Sequence, residues 1–172
     1  AKAGYEYELS FWAKGTATSP EANRAGMAIY LEFILSTGAK ADQAAGDAIA
    51  VNPDEWSLVS HRGIAPAGTG FIRHMPYGYV STVCDLYMDD FRTWEFTGAG
   101  SALLTDALLT GKGDATALYQ RLGIKSLGVT GLKEGNKEDY LAGLTAKRAA
   151  KGSALTAQEI AAAVTEINAT AS

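Results

Sequence analysis

"YEYELSFWAK", residues 5–14, decides how this chain is read. Tyr5, Tyr7, Leu9, Phe11 and Ala13 fall on one face; Glu6, Glu8, Ser10, Trp12 and Lys14 fall on the other. A period of two with aromatic residues marks a half-buried β-strand. The next apolar run, "MAIYLEFIL" (27–35), alternates in the same way, with Met27, Ile29, Leu31 and Phe33 against Ala28, Tyr30, Glu32 and Ile34. Its Met, Ala, Leu and Glu are also good helix formers. Its β-branched and aromatic content, following directly on a strand, favours strand. "GTATSPEANRAG" (15–26) between the two runs is turn chemistry.

Working outward, residues 36–54 are small and polar and read as a long loop, with room for one helical turn. "EWSLVSHRG" (55–63) and "TGFIRHM" (69–75) read as two further strands, "PYGY" (76–79) as a turn, and "STVCDLYMDDFRTWEF" (81–96) as the last one or two strands. Short strands punctuated by Gly and Pro predict an antiparallel β-sandwich.

Texture changes near Gly98. Fourteen of the 16 aromatic residues lie in residues 1–96; only Tyr119 and Tyr140 lie beyond. Residues 1–96 carry 7 basic and 12 acidic groups, net −5, whereas residues 97–172 carry 8 and 7, net +1. "TGAGSA" (97–102) is the joint, giving two domains, 1–96 and 97–172. The second reads as short helices. "SALLTDALLTG" (101–111) offers Ser101 as N-cap and Gly111 as stop, and "DATALYQRLG" (114–123) offers Asp114 and Gly123. Residues 124–135 read as a connector. "NKEDYLAGLTAKRAAKG" (136–152) has acids in its first turn and bases in its last, the order the helix dipole prefers. In "LTAQEIAAAVTEIN" (155–168), Thr156 and Glu159 make a capping box.

The whole chain has 172 residues and net charge −4. Nothing in that balance argues for nucleic acid or an anionic membrane as partner. No apolar run reaches the ~18 residues of a membrane span. "AKAGYEYEL" has neither an initiator Met nor the pattern of a secretion signal, and reads as a processed chain or a piece of a longer one. Cys84 is the only cysteine, so no internal disulfide forms.

Three stretches in order, "YELSFWAKG" (7–15), "EWSLVSHRGIAPAGTGFIR" (55–73) and "LYMDDFRTWE" (86–95), resemble carbohydrate-binding modules of the jelly-roll β-sandwich type, close to the family 4, 9 and 22 group. The resemblance covers roughly residues 5–95. It implies a mainly β jelly roll followed by a small helical appendage, with Trp56 in the core. It also implies that the opening strands are missing, to be supplied by a longer parent chain or a neighbouring chain. The "LGVTGL" and "LTAQEIAAAV" phrases of the helical region look like segments of phage tail-fibre and virion proteins.

A glycan site follows from the strand faces. Sugar rings present apolar C–H faces, which aromatic platforms flanked by polar groups accommodate. Trp12 and Tyr30, with Glu8, Glu32 and Lys14, make such a surface, unless Trp12 is covered by the 36–54 loop. In the modules this chain resembles, an aspartate at the position of Asp89 and Asp90 helps bind a structural calcium. Calcium takes six to eight oxygen ligands, more than one Asp pair supplies. The alternative is a pair of rim carboxylates that ends an edge strand.

Other chemistries fail on inspection. "GKGD" (111–114) lacks the spacing of a phosphate loop, and "GAGSAL" (98–103) lacks a third glycine. His61 and His74 read as paired surface residues of neighbouring strands, and Cys84 with His74 carries no nucleophile signature. Glu8 and Glu32 are the carboxylates a glycosidase reading would use, with nothing to select them. "NAT" (168–170) is a glycosylation sequon. The expectation is a non-enzymatic carbohydrate-binding protein of an extracellular or virion surface, with a polysaccharide or cell-surface glycan and further copies or chains of the same assembly as partners. The alternative is a structural virion or tail-fibre component whose sandwich and helices serve assembly.

Overall fold

The computed structural model describes residues 1–18, 27–45, 51–78, 83–111 and 113–171. Of the turn read at 15–26, residues 15–18 instead continue a strand, paired to a distant segment, and residues 19–26 lie outside the described residues, as do the side chains of Met27, Ala28, Ile29 and Cys84. Contacts divide the chain into two compact units, Ala1–Glu95 and Phe96–Ser172.

Among its described residues the first unit holds six strands: β1 (Glu6–Thr18), β2 (Met27–Leu35), β3 (Lys40–Ala45), β4 (Ser57–Ile64), β5 (Thr69–Gly78) and β6 (Val83–Glu95). They form two antiparallel sheets of three, in the orders β4–β1–β6 and β3–β2–β5. The two share one apolar core. Tyr7, Leu9, Phe11 and Ala13 of β1 are buried there with Leu31 and Phe33 of β2 and Val59 of β4. These are the faces that the period-two pattern assigns to the inside.

Close approach is bought with glycine at two places. A Cβ on Gly63 would stand 2.8 Å from Leu31 Cδ2 of the other sheet. Gly15 has φ +142°, and a Cβ there would stand 2.0 Å from the carbonyl oxygen of Asp85, so only glycine lets β1 follow β6 at that point.

The second unit holds α1 (Gly98–Thr110), α2 (Ala115–Leu122), α3 (Lys137–Lys151) and α4 (Ala157–Thr170), with 3-10 turns at Lys125–Leu127 and Glu134–Asn136. Asp114 accepts from the N–H groups of Thr116 and Ala117. Thr156 and Glu159 complete the capping box of α4. Leu118, Leu122, Tyr140, Leu144, Ile160 and Val164 form the centre of a separate core, each fully buried. The sequon residue Asn168 belongs to that framework. Its Oδ1 accepts from Tyr140 Oη (2.6 Å) and Asn136 Nδ2 (3.1 Å), and its Nδ2 donates to the Gly131 carbonyl (2.8 Å).

Several elements differ from the sequence expectation. Among the described residues six strands stand beside four helices, a mixed architecture rather than a mainly β jelly roll with an appendage. The 36–54 stretch contains a strand, β3, joined to β2 by a turn in which Gly38 adopts φ +89°. "KADQAA" has no strand propensity of its own; pairing with β2 imposes the conformation. β5 runs through Pro76 instead of turning there, which an edge strand tolerates because its outer N–H needs no partner. Helix α1 starts at Gly98, three residues before Ser101. Ser101 is fully buried, with its Oγ 2.5 Å from Ser126 Oγ, so it bridges elements instead of capping one.

Candidate functional site

The outer face of sheet β4–β1–β6 carries the site. On β1, Glu8, Ser10, Trp12 and Lys14 point away from the core. The register sets Arg62, Ser60 and Leu58 of β4 opposite Glu8, Ser10 and Trp12. On the other side, Trp94, Arg92 and Asp89 of β6 stand opposite the same three residues. Glu8, Ser10, Trp12, Leu58, Asp90, Arg92 and Trp94 together line a groove of about 340 Å³. The groove carries two exposed indoles, Trp12 at 39% and Trp94 at 50% exposure.

Each carboxylate lining the groove is held by an arginine. Arg62 Nε donates to Glu8 across the strand pair. Arg92 grips Asp90 at both oxygens, with Nε to Oδ1 at 2.8 Å and Nη2 to Oδ2 at 2.7 Å. The bidentate fork fixes the planes of both groups. The Asp90 N–H in turn donates to Asp89 Oδ1 (2.7 Å). The groove thus offers two exposed indoles beside donors and acceptors, with the Arg92 guanidinium over the Trp94 ring, 5.9 Å from its centre.

The sequence-predicted residues are not gathered into one place. Glu8 and Trp12 share the groove. Lys14 lies on the same sheet face beyond it. Its ammonium sits 5.0 Å from the Trp56 ring centre and 5.9 Å from that of Tyr87. Trp56 is 42% exposed and not in the core: it precedes β4 with the parity of Leu58 and Ser60, which is the outward one. Tyr30 and Glu32 are on β2, in the other sheet. Glu32 is 2% exposed, with Arg73 Nε 2.6 Å away and Lys40 Nζ at 3.8 Å. A closed surrounding with two flanking cations makes Glu32 part of the framework and leaves it no open face toward a ligand.

Asp89 and Asp90 sit on the exposed face of β6, beside Trp12. Among the described residues no three His, Cys, Asp or Glu side chains group together as metal ligands do. Arg92 occupies both oxygens of Asp90. These residues do not fit a calcium ion, which would need more oxygens and no guanidinium among them. His61 and His74 belong to different sheets, on β4 and β5. His74 faces inward, with Nε2 2.6 Å from Thr93 Oγ1 and its ring 6.2 Å from Phe91. Burial pushes its pKa below the ordinary value, and its Nδ1 is buried without a hydrogen-bond partner.

Sequence reasoning missed Trp94, Arg92 and Leu58. Trp94 and Arg92 share one parity, and pairing that parity with Glu8 and Ser10 would have found them. The shift of phase at Asp89–Asp90 hides the pattern. A second groove, of about 510 Å³, opens on the helical unit between Leu109 and Gly113 on one side and Leu141, Ala142 and Ala146 on the other. Its lining is mostly alkyl and backbone, without the paired hydrogen-bonding groups of the sheet groove.

No family model matches the chain, and no curated protein does. Among solved structures, the chain is similar to the enzymatically active domain of tailspike protein 4 of bacteriophage CBA120, at 16% identity and TM-score 0.40, over 56% of this chain and 12% of that one. It is similar to a Family 16 Carbohydrate Binding Module-2 at 16% identity and TM-score 0.40, over 55% of this chain and 64% of that one. The chain spans less than two thirds of the length of either, and the likeness is weak in both cases.

Proposed function

We propose that the first unit is a non-catalytic carbohydrate-binding module, a reduced sandwich of jelly-roll type, acting at an extracellular or virion surface. One observation carries this reading: two exposed indoles, Trp12 and Trp94, line a groove together with Glu8, which Arg62 hydrogen-bonds, and the Asp90–Arg92 pair. Apolar sugar faces stack on the rings, and ring hydroxyls exchange hydrogen bonds with the carboxylates and guanidinium groups. A binding role is favoured over hydrolysis by the same pairs. Glycoside cleavage needs two carboxyl groups free to face the substrate, whereas Arg62 hydrogen-bonds Glu8 and Arg92 binds both oxygens of Asp90. Glu8 and Glu32, the other candidate pair, stand on different sheets.

The test is affinity electrophoresis through gels containing soluble polysaccharides, with Trp12→Ala and Trp94→Ala beside the wild type. The wild type should be retarded by at least one of them, and each substitution should weaken binding by about tenfold or more, equivalent to about 1.4 kcal/mol. A wild type that no polysaccharide retards ends the reading.

A further inference from the structure

Asp90 is the only non-glycine residue with a positive φ, +53°, among the described residues. The strand register gives the reason. Asp89 opposes Trp12 and Arg92 opposes Ser10, so Asp90 and Phe91 together stand opposite the single residue Phe11. This is a β-bulge, with one residue more on β6 than the ladder needs. Phe91 fills the place that the sheet requires, its ring stacked on Phe11 at 5.1 Å and 16°. Asp90 is the extra one. Without it, Asp89–Trp12, Phe91–Phe11 and Arg92–Ser10 would follow one another in an unbroken antiparallel register.

A left-handed conformation costs free energy for any residue with a Cβ, although Asp tolerates it better than most. Here the strained residue reaches the groove. Its carboxylate lines the groove together with Trp12 and Trp94 and is held at both oxygens by Arg92. A carboxylate has about four acceptor positions. Arg92 takes two, and the side chain remains 40% exposed. Its remaining lone pairs and the guanidinium edge therefore lie side by side.

We propose that Asp90 is the specificity-determining residue of the groove. The bulge inserts it so that the Asp90–Arg92 pair reads two adjacent hydroxyls of an uncharged sugar ring stacked on the neighbouring indole. The carboxylate accepts from one hydroxyl, and Arg92 donates to the other. This rests on the carbohydrate-binding reading and names its ligand class: a neutral glycan distinguished by the orientation of a vicinal diol.

The experiment uses the full chain with Asp90 deleted, and separately Asp90→Gly, which keeps the bulge and removes the carboxylate. Binding to xylan, mixed-linkage β-glucan and galactomannan is measured by affinity electrophoresis and, for whichever retards the wild type, by titration calorimetry. The deletion should fold, melt at or above the wild-type temperature, and bind at least about tenfold more weakly, with the ranking of the three polysaccharides altered. Asp90→Gly should show the same loss. If either variant binds like the wild type while Trp12→Ala does not, Asp90 only blunts an edge strand; the inference falls and the glycan reading stands. If the deletion fails to fold, Asp90→Gly decides alone: undiminished binding overturns the inference. If the wild type binds none of the three and no other polysaccharide, both readings fall together.

Discussion

Glu8 and Glu32 are both outward-pointing carboxylates on central strands, and each meets an arginine across a strand pair. The Glu8 side chain keeps 18% of its surface, whereas that of Glu32 keeps 3%. Alternation assigns both to the outside and is correct about direction. Whether the outside is open depends on what else lies over it, which no local pattern encodes. His74 gives a residue-scale prediction. Burial lowers its pKa in the folded state, so below the ordinary value of about 6.5 the unfolded chain binds the proton more readily. Stability therefore falls as pH drops through that value. Urea unfolding midpoints should decline from pH 7.5 to pH 5.5, and His74→Gln should flatten the decline. Lowered carboxylates such as Glu95, held by Lys2 and Tyr7, add stability that is lost only on further acidification, below about 4.5. An equal slope in the variant would show that the His74 ring does not account for the effect.

At the scale of elements, strands and helices with strong internal patterning were legible, and those that borrow their conformation were not. β1 and β2 announce themselves by aromatic alternation, α2 by cap and stop, α3 by the charge order of its ends and α4 by its capping box and apolar stripe. β3 has only Lys, Ala, Asp and Gln and exists because β2 offers an open edge. The bulge in β6 was visible as an oddity, two aspartates within a strand, but its register was not, because register belongs to a pair of strands. α4 supplies the prediction at this scale. The Thr156 hydroxyl accepts from the Glu159 N–H, and the Glu159 carboxylate accepts from the Thr156 N–H (2.7 Å) and from Lys151 Nζ (2.5 Å). These hydrogen bonds hold Glu159 well below the usual range, at about 2. Thr156→Ala should destabilise the helical unit by about 1 kcal/mol, a typical cap loss, measured by thermal melting at 222 nm. An unchanged melt would mean that tertiary packing alone fixes the start of α4.

At the scale of the molecule, each unit has its own apolar centre, Leu9, Phe11 and Phe33 in the first and Leu118, Tyr140 and Ile160 in the second. Short isolated helices are marginal in water, but four of them around a shared core are not isolated. A segment covering residues 96–172 should therefore fold alone, with a cooperative helical melt in circular dichroism; a featureless, non-cooperative spectrum would show that it needs the first unit. Aromatic content and charge shift together near Gly98, and contacts divide the chain after Glu95. The sequence by itself determined the inward face of each patterned strand, the side-chain caps of α2 and α4 and the outward aim of Trp12 and Glu8. All of these follow from backbone periodicity and from side chains acting on near neighbours. Only the tertiary structure decided that Trp94 and Arg92 join Trp12, that Tyr30 and Glu32 stand on another sheet, and that Asp90 is a residue in excess. Those facts depend on strand order and register, which arise from pairing between segments far apart in the chain.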